Sequence, residues 1–68
     1  MFTIVLSKEY SDNIDGSKLF EYCNELSKDI KIAYKNYKLE ISLDNQKENI
    51  SKMLKLVDNL DKLEKHEN

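Results

Sequence analysis

Apolar and polar residues alternate from the start of the chain, with Phe2, Ile4 and Leu6 on one side and Thr3, Val5 and Ser7 on the other. A period of two predicts a half-buried strand, because successive side chains leave a pleated backbone on opposite faces. Lys8 to Gly16 then holds Ser11, Asp12, Asn13, Asp15 and the only glycine, which predicts a polar connection. From about Ser17 to Lys28 the period lengthens. Leu19, Cys23 and Leu26 recur at i, i+4 and i+7, flanked by Phe20 and Tyr22, as on the apolar stripe of a helix. Asp15 or Ser17 offers a side-chain oxygen to the free N–H groups of its first turn.

Alternation returns in the middle of the chain, through Ile30, Ile32 and Tyr34 and then through Tyr37, Leu39, Ile41 and Leu43. A hairpin with Lys35-Asn36 as its two-residue loop would set Tyr34 against Tyr37, Ile32 against Leu39 and Ile30 against Ile41, with Lys31 opposite Glu40. Asp44-Asn45 ends this strand, and Asn45 with Glu48 matches a variant of the capping box. The helix that follows is expected from about Gln46 to the mid-60s, with residues 64–68 as a frayed tail. Its apolar residues Ile50, Met53, Leu54, Leu56, Val57, Leu60 and Leu63 span an arc of about 180°. That is wider than one core-facing stripe requires. Ile50, Leu54 and Val57 lie toward one side of the arc, and Leu56, Leu60 and Leu63 toward the other.

The order β-α-β-β-α, with strands apolar on one face, predicts one α/β (α+β) domain over residues 1–68. The expected architecture is a two-layer sandwich, a three-stranded mixed sheet with two helices on one face. The first two strands, joined through a helix, are expected to run parallel. The first strand can lie beside the second, or beside the third as in a split β-α-β unit.

Composition narrows the chemistry. Sixty-eight residues hold one small core, and domains of this size commonly draw extra stability from disulfides, a metal or a partner. Cys23 is the only cysteine, so no disulfide forms within the chain, and a lone thiol fits a reducing cytoplasm. No apolar run is long enough for a signal-peptide core or a membrane span, so a cytoplasmic protein without membrane attachment is expected. All eleven cations are lysines and the net charge is −2, which disfavours nucleic-acid partners that rely on bidentate guanidinium contacts. Lysine-only cations with many Asn and Ile residues suggest an AT-rich coding sequence, a setting that fits a phage or other mobile element.

No catalytic constellation is visible, and no enzyme activity, cofactor or metal is expected. Cys23 lies on the apolar helix stripe, where a thiol is a small core residue. His66 stands in the terminal segment without a fixed geometry for base catalysis. Asp12 and Asp15 flank a turn before a helix, where carboxylates act as caps. Lys31, Lys35 and Lys38 share the polar face of the hairpin and form a candidate anion patch, or a solvated face that discourages edge pairing.

The strand, loop, helix and hairpin order, with Asp29-Ile30-Lys31-Ile32 at the hairpin start and Leu39-Glu40-Ile41-Ser42-Leu43 before a long helix, resembles the layout of the histidine-containing phosphocarrier (HPr) family. That family carries its phosphorylated histidine just before the first helix, in a Gly-x-His-Ala-Arg-Pro setting. Asn13-Ile14-Asp15-Gly16-Ser17 stands there in this chain, so the resemblance implies at most a degenerate phosphocarrier-like domain lacking the active histidine.

The over-wide apolar arc carries the main functional expectation, a regulatory or interaction module that binds another protein and self-associates through its C-terminal helix. Met53, Leu56, Leu60 and Leu63 are the candidate interface, unless the long helix packs under both the sheet and the first helix and the whole arc is core. A nucleic-acid or anion binder using the lysine-bearing sheet face is the alternative.

Overall fold

A computed structural model describes residues 1–65. Strand β1 (Phe2–Val5) leads into two successive helices, α1 (Lys8–Asn13) and α2 (Gly16–Leu26), then strands β2 (Lys31–Lys35) and β3 (Lys38–Leu43), helix α3 (Asn49–Asp58) and a 3₁₀ turn over Leu60–Leu63. The sheet order is β1-β3-β2, and both neighbouring pairs are antiparallel. The α+β class therefore stands, in its split β-α-β form. The sheet is antiparallel throughout rather than mixed. β1 and β2 do run in the same direction, but β3 lies between them and opposes both. Its middle residue Ile41 consequently has a strand on each side and is fully buried.

Helix α1 occupies what was expected to be an irregular connection. The Ser7 hydroxyl accepts the Tyr10 N–H at 3.2 Å and starts the helix. Ile14, immediately after it, is buried. Turn-forming residues thus serve here as the cap and polar face of a single short helix. Asp15 caps α2, its carboxylate accepting from the N–H groups of Ser17 at 3.0 Å and Lys18 at 3.3 Å. Leu19 and Cys23 face the core from this helix.

The hairpin turns one residue later than expected. Asn36 and Tyr37 occupy the loop with φ of 52° and 66°, the left-handed pair demanded by the tightest hairpin turn. In the observed loop asparagine takes the first left-handed position, which the turn favours for it, while Tyr37 takes the second, where glycine is preferred. The pairing consequently moves by two residues, to Tyr34 with Leu39, Ile32 with Ile41 and Ala33 with Glu40, while Lys31 faces Ser42 rather than Glu40. A two-residue shift leaves every side chain on its expected face, because the pleat repeats every two residues.

Helix α3 is shorter than its apolar pattern suggests. Asn45 and Glu48 form no capping box, and no side chain caps the helix start. Asn49, largely buried, instead donates from its side-chain amide to the Asp44 carbonyl at 2.9 Å, tying the helix to the end of β3. At the other end the Asn59 side-chain amide lies 2.8 Å from the Lys55 carbonyl and 3.1 Å from the Tyr22 hydroxyl, joining α3 to α2 where the chain tightens into the 3₁₀ turn. Residues Glu64 and Lys65 are not a frayed tail. The Lys65 N–H donates to Asn13 at 2.7 Å and the Asp15 N–H to Leu63 at 2.8 Å, so this segment bridges the α1–α2 junction. His66 lies outside the described residues, as does the rest of the expected tail.

Candidate protein-binding groove

Both helical stripes of the arc are present, and the one expected to form an interface is the one that is buried. Met53, Leu56, Leu60 and Leu63, the expected interface, are 6%, 0%, 8% and 6% exposed and belong to the core with Leu6, Ile14, Leu19, Cys23, Ile41 and Leu43. Ile50, Leu54 and Val57 are instead 47%, 58% and 47% exposed. The cause is the width of the sheet. Three strands are covered by α2 and by the inner stripe of α3, and β1 is the last strand on its side. The i, i+4, i+7 stripe formed by Ile50, Leu54 and Val57 has no further strand beneath it.

Between that stripe and β1 lies an open apolar groove of about 300 Å³, lined by Phe2, Thr3, Ile4, Ile50, Met53, Leu54 and Val57. None of the residues lining it is charged, and Thr3 is the only polar one. One wall is a strand edge. The Leu6 N–H donates to the Leu39 carbonyl at 2.9 Å. Since inward and outward groups alternate along a strand, Phe2 and Ile4 also turn their backbone groups toward β3. The N–H and C=O groups of Thr3 and Val5 consequently point away from the sheet. Val5 adds an exposed side chain on the outer sheet face.

The lysine patch is only partly assembled. Lys31, Lys35 and Lys38 are all exposed on the outer face of the hairpin, and the register sets Lys35 directly opposite Lys38. Lys31 pairs with Ser42, four residues along β2 from Lys35, so the three do not converge on one point. Their face also carries Thr3, Val5, Ala33, Glu40 and Ser42 but no aromatic ring for stacking on a base. Tyr37, at the hairpin tip, lies instead beneath the Lys8 ammonium, 5.3 Å from ring centroid to nitrogen.

Cys23 is buried, and desolvation pushes its thiol up to about 11, away from the thiolate needed for nucleophilic chemistry. The Asp15 carboxylate is engaged at the start of α2, and Asp12 is exposed. No helix of the described residues is long and apolar enough to cross a membrane. Among the residues that build the groove, Ile50, Leu54 and Val57 were legible as one side of an over-wide arc. The backbone edge of β1 has no side-chain signature and emerges only from strand order. Comparison with family models, curated proteins and solved structures finds no match.

Proposed function

We propose that this protein is a small interaction module, acting in the reducing cytoplasm, that binds protein through the groove between β1 and α3. One observation carries the reading: a three-residue apolar stripe on α3 stands exposed beside an open, uncharged strand edge. A continuous apolar surface of this kind marks contact sites more often than scattered exposed residues do. A strand edge next to an apolar wall also matches two general modes of protein recognition, strand addition and seating of a helix in a groove. The cytoplasmic setting is supported by the single thiol in the chain.

Capture from a lysate of the native host tests the reading, with wild type, Leu54→Lys and Lys31→Glu as baits. Leu54 is exposed and lines the groove, whereas Lys31 lies on the outer sheet face. The expected result is a specific partner held by wild type and by Lys31→Glu but lost from Leu54→Lys. Retention by Leu54→Lys together with loss from Lys31→Glu would move the site to the lysine face.

A further inference from the structure

We infer that a second copy of this chain occupies the groove, joined β1 to β1 across a two-fold axis so that the two sheets become one of six strands. This inference rests on the groove being a protein-binding site.

The two edges of the sheet are built differently. β2 carries Lys31 and Lys35 at its ends, with Lys35 opposite Lys38, and charged side chains of this kind discourage a further strand from pairing. β1 reads Phe-Thr-Ile-Val, with no charge, no proline and no bulge in its pairing with β3. It is the unguarded edge, and Thr3 and Val5 hold the outward backbone groups.

A two-fold axis requires a surface that complements itself. An antiparallel strand edge does so by construction. An axis normal to the sheet near Ile4 would set Thr3 of each copy against Val5 of the other, completing both sets of backbone bonds. It would bring the two Ile4 side chains together on the helix-bearing face. The same axis keeps both α3 helices on one face of the joined sheet, so each Ile50, Leu54 and Val57 stripe meets its counterpart above the seam. The groove lining is uncharged, so two identical chains, each with a net charge of −2, bring no like charges together there. A partner recognised by charge would find nothing to pair with.

The size of the surface sets the strength. A strand edge of four residues and a three-residue helical stripe form a smaller surface than the about 800 Å² per partner of a standard interface. A surface of that size fits a concentration-dependent dimer rather than a permanent one.

Sedimentation equilibrium over a wide concentration range tests the proposal on the full chain, with Thr3→Pro and Leu54→Lys as variants and circular dichroism to confirm folding. Proline at position 3 removes an outward N–H that the monomer does not use. Amide exchange at Thr3 and Val5 adds a local reading, slow in concentrated and fast in dilute samples. The expected result is a monomer–dimer equilibrium that each variant weakens about tenfold or more. A wild type that stays monomeric, or a dimer that both variants leave intact, overturns the pairing. If the wild type is monomeric yet still loses its host partner through Leu54→Lys, the groove serves another protein and only the second copy is excluded.

Discussion

Ser11 stands where β1 leaves the sheet, and its hydroxyl lies between two strands. It donates to the Leu6 carbonyl at 3.3 Å and accepts the Leu39 N–H at 2.9 Å. It therefore completes a Leu6–Leu39 pair whose other bond is direct. Replacing it by alanine leaves two backbone groups unpaired at a buried position, a loss expected at about 1–3 kcal/mol in urea unfolding. A loss below about 0.5 kcal/mol would mean that Leu39 closes directly onto Leu6. Tyr10, one residue earlier, donates its phenol to the Asp61 carboxylate at 2.8 Å. That bond, followed by desolvation and the charges of Asp61 and Glu64, pushes the phenol from its usual 10 up to about 12. A raised folded pKa favours the protonated form, so this contribution to stability is complete below pH 10 and is lost as pH rises through about 12. Tyr10→Phe is expected to flatten the fall in stability over that alkaline window. An unchanged slope in chemical denaturation would exclude the bond as its source.

At the scale of elements, the hairpin turn carries visible strain. Tyr37 holds a φ of 66° in a position where the tight turn prefers glycine. The left-handed conformation costs a side-chain-bearing residue about 1–2 kcal/mol. The exposed contact with the Lys8 ammonium returns about 0.5 kcal/mol of that. Tyr37→Gly is accordingly expected to raise stability by about 0.5–1 kcal/mol and to increase the melting temperature. Lys8→Ala measures the cation contact by itself. A lower melting temperature in Tyr37→Gly alongside an unaffected Lys8→Ala would show that the tyrosine makes some other stabilising contact. The same turn shows why the register was only partly legible in the sequence. Alternating Ile32, Tyr34, Leu39 and Ile41 determine which face each side chain takes. They do not distinguish two pairings that differ by two residues, and the observed one sets Asn36 at the first rather than the second position of the turn. Helix α1 was missed because its six residues offer too little periodicity, and its cap Ser7 also fits the polar side of the β1 alternation.

For the whole molecule, the division of the α3 arc between core and groove is the decisive feature. Leu56 is fully buried, while Leu54, two residues away, is 58% exposed. Leu56→Ala is expected to cost about 2–5 kcal/mol. That is comparable to the total stability of a core this small, so the variant should be largely unfolded at room temperature. Leu54→Ala should change monomer stability by less than about 0.5 kcal/mol. Labelling of the buried Cys23 thiol at neutral pH reports the difference, slow in wild type and Leu54→Ala and fast in Leu56→Ala. Comparable rates in the two variants would reject this division of the arc.

Periodicity alone determined that this chain forms a sheet with one apolar face, that Leu19 and Cys23 belong to an amphipathic helix, and that the C-terminal helix bears more apolar surface than one stripe needs. Those properties are local, because side-chain direction follows from the pleat of a strand or the turn of a helix. The placement of β3 between β1 and β2, the outward Thr3 and Val5 backbone, and the choice of Leu56 rather than Leu54 for the core depend on elements far apart in the chain. Only the tertiary structure decided them, because a three-stranded sheet runs out of width under α3, and what lies past its last strand is set by packing rather than by any neighbouring residue.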